Sequence, residues 1–180
     1  MWAVWAMMLM LHSTLHGCDS PTTPPQVKGN IADVIISGKT YHLEVAAEPA
    51  VRMKGLGGRT SIPEDGGMIF VFPPEQVQKM GFVMRDCPID IDIIYLDGAG
   101  VVDSFYEMKA LPPRDEKAGE GKPGEMNNAN YERRLEKTAY SSKYRCTFAV
   151  ELKDGSLKKL NIKEGDKVVF DRDALKKLAK

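Results

Sequence analysis

The residues with the most chemistry to offer lie near the middle of the chain. Arg59, Arg85, Asp86, Asp90 and Asp92 bring guanidinium and carboxylate groups next to apolar runs. Asp90 and Asp92 are two residues apart, so on a strand both side chains point to one face. Paired carboxylates can hold a cation or move a proton. An arginine and an acid flanking a buried strand could form an ion-pair cluster in a shallow pocket. The competing reading is a salt bridge from Arg59 or Arg85 to Asp92 that only fixes loop-to-strand geometry. Arg59, Arg85, Asp90 and Asp92 are therefore the candidate ligand-binding set, and no catalytic residue is assigned.

The N-terminus narrows this inventory. Residues 1–17 contain no Lys, Arg, Asp or Glu, and Met1–Leu11 is wholly apolar. That run is too short to span a bilayer, which takes about 20 residues, but it suits a signal-peptide core. Leu15-His16-Gly17-Cys18 follows, then a Pro/Thr/Ser stretch. The four residues resemble a bacterial lipobox, with Cys18 as the lipidation site. His16 departs from the usual small residue, and the basic n-region is missing, as if the true start lay upstream. An ordinary cleavable signal with an incidental Cys18 is the other reading. The expected organisation is a signal peptide at 1–17, an extended tether at 18–29, a β domain at 30–170 and a helical tail at 171–180. The expected location is the cell envelope, with a lipid anchor holding the chain to the membrane on the periplasmic or outer side.

Removing residues 1–17 takes away both Trp and two of the three His. His42 alone remains, so a Cys/His zinc site has too few ligands. A Ser-His-Asp triad would have to pass through His42, and there is no Gly-x-Ser-x-Gly elbow. No Gly-rich loop ends in Gly-Lys-Ser/Thr. No metal and no cofactor is expected. The 25 basic and 25 acidic side chains cancel, which argues against a nucleic-acid groove, since that needs a basic excess. Besides Cys18, only Cys87 and Cys146 remain, and in an exported protein such a pair is a disulfide candidate. Two buried free thiols are the alternative.

The elements that must position these groups are short. Asn30–Ser37 and Thr40–Ala46 flank Gly38-Lys39, and the alternation of Tyr41, Leu43 and Val45 predicts a hairpin. Pro49 can open a short helix that Gly55 closes. Met68–Phe72 reads as a buried strand, and Met80–Met84 as another. Asp90–Leu96 and Val101–Glu107 form a second hairpin. Leu111–Gly124 is a loop rich in Pro, Gly and charge, before a short helix at Tyr131–Thr138. Arg145–Leu152 and Leu157–Ile162 read as strands about a Gly155 turn, Lys167–Phe170 as a further strand, and Asp171–Lys180 as an amphipathic helix. The pattern is mainly β with short helices, a compact barrel-like or sandwich domain.

Three segments, in order, resemble the domain-of-unknown-function 192 family. They are Arg52–Arg59 with Gly67–Phe72, then Phe82–Asp97, then Phe148–Leu152 with Ile162–Asp166. The resemblance implies a compact, mainly β domain, often behind an export signal, and no established activity. Against the family pattern, Gly57 replaces a Met, Val83 a Trp, Arg85-Asp86-Cys87 a Lys-Asn-Thr, and Asp90 a Pro. A pocket lined by that segment would be altered here. The stretch between Leu111 and Tyr140 also looks longer than the pattern. The function expected from all this is non-catalytic binding of a small ligand or an envelope partner. The alternatives are an enzyme using the Asp/Arg cluster and a structural or assembly role.

Overall fold

The computed structural model describes residues 24–180, so the signal peptide expected at 1–17 and the lipidation expected at Cys18 lie outside the described residues. The chain forms β1 (Val27–Lys28), β2 (Ile31–Ile36) and β3 (Lys39–Ala46), which pair antiparallel. Ser37 and Gly38 both have positive φ at the β2–β3 turn, the conformation that matches strand twist in a two-residue hairpin. Then come α1 (Pro49–Lys54) and β4 (Gly67–Val71), which runs parallel to β3. β5 (Gly81–Phe82) is followed by the hairpin β6 (Ile91–Leu96) and β7 (Val102–Met108). The remaining elements are α2 (Ala129–Glu136), β8 (Tyr140–Ser141), β9 (Phe148–Lys153), α3 (Ser156–Leu160) and α4 (Arg172–Leu178). Seven strands make one sheet in the order β1-β2-β3-β4-β9-β6-β7, and β5 pairs with β8 apart from it.

The domain is mainly β with short helices, as expected, and its sheet is not a closed barrel. Its two sides approach each other through residues 165–169. Val169 exchanges backbone hydrogen bonds with Ile35 on β2, while Val168 and Gly165 donate to Gly100 and Val102 at the β7 end. Lys167–Phe170, expected as a strand, is reduced to these isolated bridges. The second correction is Leu157–Ile162, where a helix replaces the expected strand. Its first turn has a left-handed Gly155 at the N-cap, and the Asp92 carboxylate of β6 accepts from the Leu157 N–H at 2.8 Å. A run of five residues is too short for periodicity to separate helix from strand, and the deciding acceptor comes from 65 positions away.

β4, β9 and β6 lie in the middle of the sheet and are buried on both faces. Ile69, Val71, Ile94, Leu96, Phe148 and Val150 join one core, with Leu175 of α4. Met68, Phe70, Ile91, Ile93, Tyr95 and Ala149 join the other, with Leu56 and Met84 from the loops. Burial of a side chain such as Phe70 or Phe148 contributes roughly 1.5–3 kcal/mol. Alternation therefore places Asp92 on the first face and Glu151 on the second.

β4 begins at a glycine because nothing larger fits. Gly67 has φ +146, and a Cβ there would sit 2.2 Å from the Glu151 carbonyl oxygen. Gly67→Ala is expected to lower unfolding free energy by about 2–4 kcal/mol, read as a shift of the urea midpoint.

Candidate functional site

The four charged residues singled out from the sequence do not converge. Arg59 donates twice to Glu44 of β3, at 2.6 and 2.7 Å, and this pair is half exposed. It ties the turn after α1 to the sheet, and such an exposed pair is worth under about 1 kcal/mol. Arg85 donates twice to Glu132 of α2, at 2.5 and 2.6 Å. Asp90 accepts from Lys109 and from the Ala110 N–H, both at 2.8 Å, and these bonds hold its carboxyl below the usual range. Asp92 is fully buried and accepts from the Leu157 N–H at the start of α3. Burial pushes its carboxyl up, against that hydrogen bond. Neither Arg59 nor Arg85 bridges to Asp92. The predicted cluster becomes four separate fastenings, and its acids pair with residues just past β7 and on α3.

The cysteines also depart from the disulfide expectation. Cys87 and Cys146 are free and buried. Each thiol donates to a carbonyl two residues on, Cys87 to Ile89 and Cys146 to Phe148. Cys87 sits in the turn before β6 and Cys146 just ahead of β9, so each is oriented by its own local backbone. Burial pushes the Cys146 thiol up to about 12, which removes thiolate reactivity. His42 pairs with Asp33 across the β2–β3 hairpin at 2.8 Å and lies on the surface. Among the described residues, no group of three or more His, Cys, Asp or Glu side chains could hold a metal, and no helix is long and apolar enough to cross a membrane.

The candidate site lies elsewhere, in a cavity of about 430 Å³ between α1, the Gly55–Gly58 turn and the second face of the sheet. Its floor is Phe70, Phe72 and Ile91, with Glu151 of β9 among them. Phe82 of β5 walls one side, edge-on to Phe70 at 4.8 Å and to Tyr95 at 5.5 Å. Arg52 of α1 walls another. Its guanidinium donates to the main-chain oxygens of Ala47, Val71 and Lys180 and to Gln76 Oε1. One arginine thereby joins α1, β4, the turn after it and the C-terminal residue. Gly57, Val83, Arg85 and Cys87, all departures from the family pattern, line the same cavity. The segment expected to alter a pocket does line one.

Glu151 is the chemically distinctive group here. The residue is 6% exposed, and its Oε2 has no hydrogen-bond partner. Burial pushes its carboxyl up to about 8, against a hydrogen bond from the Leu56 N–H and the charge of Arg59. A lone buried carboxylate is expensive, so the group holds its proton instead. Sequence reading missed it because the expected strand Arg145–Leu152 shows no alternation that tells which face Glu151 occupies. The available signal was one acid inside an apolar strand with no polar alternation.

The stretch from Leu111 to Tyr140, expected as a loop and then a short helix, is fastened to the cavity's outer wall. The Arg114 side chain is 1% exposed. It donates to both Asp86 oxygens at 2.8 and 2.7 Å, and to the carbonyls of Glu120 and Glu125. Its guanidinium lies 3.9 Å from the Tyr131 ring centroid. The Tyr131 hydroxyl accepts from the Asp86 N–H at 2.8 Å. Arg85 and Asp86, which replace the pattern's Lys-Asn, thus find their partners within the stretch that looks longer than the pattern.

An open, mixed β sheet that carries a preformed pocket with one buried acid is the class of protein defined by this fold and site. The chain belongs to the DUF192 family, matched over residues 32–170, whose description, uncharacterized ACR, names no activity. It is similar to a solved protein of unknown function from Novosphingobium aromaticivorans DSM 12444, at 24% identity and a TM-score of 0.58, covering 83% of this chain and 94% of that one. It is also similar to a proposed transcription regulator from Sinorhizobium meliloti 1021, at 21% identity and a TM-score of 0.56, covering 77% and 90%. At these identities the likeness is one of fold. No curated protein matches the chain.

The Glu151 proton makes a prediction about stability. The folded carboxyl, at about 8, lies above its ordinary value of 4.5. Folded protein therefore keeps a proton that the unfolded chain loses between those values. The associated stability is full below about pH 4.5 and is lost as pH rises toward 8 and beyond. Glu151→Gln cannot ionise, so it is expected to outlast the wild type above pH 8 by roughly 2–4 kcal/mol. Urea midpoints measured from pH 5 to pH 9 should diverge with rising pH.

Proposed function

We propose that the chain is a lipid-anchored binding protein of the bacterial cell envelope, whose β domain takes a small, mainly apolar ligand in the cavity beneath α1. The cavity carries this reading. Its size falls within the roughly 300–1,000 Å³ of small-molecule sites, and its lining joins aromatic and aliphatic groups to Arg52, Lys54, Gln76, Arg85 and Glu151. Its walls are fixed by Arg52 and by the Phe70–Phe82–Tyr95 contacts, so binding pays little to order them. Support for the anchor is the apolar Met1–Leu11 run ahead of Leu15-His16-Gly17-Cys18 and the Pro-rich stretch behind it.

The enzyme reading through Arg59, Arg85, Asp90 and Asp92 is the less supported one, since these side chains serve four different contacts. A structural or assembly role has no specific observation in its favour.

Native mass spectrometry of the mature protein extracted from membranes tests the binding reading. A bound small molecule is expected in the wild type and absent from Val83→Trp, whose indole would fill the cavity. Identical, ligand-free masses for both, together with no uptake of added apolar compounds, would count against a binding pocket. Separately, Cys18→Ser is expected to move the protein from the membrane fraction to the soluble envelope fraction. Unchanged membrane retention would sink the lipid anchor.

A further inference from the structure

The cavity's polar geometry says more about its occupant, on the reading that it is a binding site. Glu151 presents two oxygens with different surroundings. One is met by the Leu56 N–H from the turn after α1. The other, Oε2, is shielded from bulk water and has no partner, although the side chain lines the cavity. A protonated carboxylic acid has one carbonyl oxygen to accept with and one hydroxyl to donate with. The N–H of Leu56 meets one oxygen, which leaves the acid's hydroxyl without an acceptor in the protein while the side chain lines the cavity.

We infer that the cavity takes an uncharged, mainly apolar compound whose hydroxyl or carbonyl oxygen accepts a hydrogen bond from the Glu151 carboxylic acid. The unpaired Oε2 supplies the selectivity. A hydrocarbon of the same shape would leave that buried donor unmet, and an oxygen-bearing head would satisfy it. The walls disfavour the charged classes. An ammonium group would meet Arg52, Lys54 and Arg85, all of which line the cavity. An anion would find the two arginines already committed, Arg52 to main-chain oxygens and Arg85 to Glu132.

The same arrangement makes binding depend on pH. The groups near Glu151 are Arg59 beyond the turn, Tyr95 on β6 and Cys87 in the loop, with Arg52, Lys54 and Arg85 lining the cavity. Arg59 and Arg85 are held further in their charged forms by their glutamate partners. Burial holds Tyr95 and Cys87 in their neutral forms. Glu151 is thus the group that changes charge near pH 8. Once ionised it loses the hydroxyl and gains a buried charge, and both effects expel an oxygen-bearing ligand.

The test uses the full-length protein in detergent and three probes of similar size: acetophenone, ethylbenzene and benzylammonium. Binding is followed by ligand-observed NMR at pH 6 and pH 9.5. In the wild type at pH 6, acetophenone is expected to bind at least tenfold more tightly than ethylbenzene. Its affinity should fall about tenfold per pH unit above pH 8. Glu151→Gln, which offers an amide N–H at every pH, should keep the preference and lose the pH dependence. Glu151→Leu should bind the two neutral probes equally. Equal binding of both neutral probes by the wild type, or tighter binding of benzylammonium, would overturn the inference and leave the pocket standing. If the wild type and Val83→Trp alike bind no probe, the pocket reading fails, and the inference fails with it.

Discussion

Burial of the central strands on both faces is the constraint from which the rest of the structure follows. β4, β9 and β6 have a sheet neighbour on each side and a hydrophobic core above and below. Any polar group on such a strand must be satisfied within the protein or surrender its charge. Burial pushes up the carboxyl of both acids placed there and leaves each with one unpartnered oxygen, but their surroundings differ. Asp92, on one face, becomes the acceptor that the short helix α3 lacks at its own N-terminus. Glu151, on the other, keeps its proton and faces a cavity. Adjacent in the sheet through the Asp92–Leu152 and Ile93–Glu151 pairings, they are separated by the sheet itself.

The cavity exists because the second core is incompletely filled by its own loops. α1 is short and buries none of its residues fully, so it roofs the sheet at a distance. Arg52 fixes that distance through main-chain oxygens on three segments. The loop carrying Val83, Arg85 and Cys87 closes the side and is in turn held by the 111–140 stretch through Glu132, Arg114 and Tyr131. Arg114 gives up its solvation to do this. Its loss is offset by four hydrogen bonds, two to Asp86 and two to main-chain carbonyls, and by the face of the Tyr131 ring. Two features that depart from the family pattern, the Arg85-Asp86 pair and the long stretch, are therefore one structural unit.

Much of the architecture was legible in the residues. The first hairpin (its turn at Ser37-Gly38, one residue before the expected Gly38-Lys39), the helix opened by Pro49 and closed by Gly55, the β6–β7 hairpin and the tail helix after Asp171 all carry local turn or cap chemistry, and local chemistry is what a sequence displays. α3 was misread because its capping group is Asp92. Lys167–Phe170 was misread because an extended segment becomes a strand only if a neighbour runs alongside it. The pairing of ions was least legible. Arg59 and Arg85 pair with Glu44 and Glu132 and not with Asp92, whose carboxylate lies on the opposite face of the sheet under α3.

By itself, the sequence determined a mainly β domain of short strands, its membership of a family through three ordered segments, and the absence of conventional triad or phosphate-loop motifs after residue 17. These depend on composition, periodicity and turn residues, all of which are local. Only the tertiary structure decided which charges meet, that Cys87 and Cys146 stay apart as thiols, and that Glu151 is the acid facing a cavity. Those outcomes depend on which face of a doubly buried strand a residue occupies and what lies opposite. An apolar run that is covered on both sides gives no alternation from which to read either.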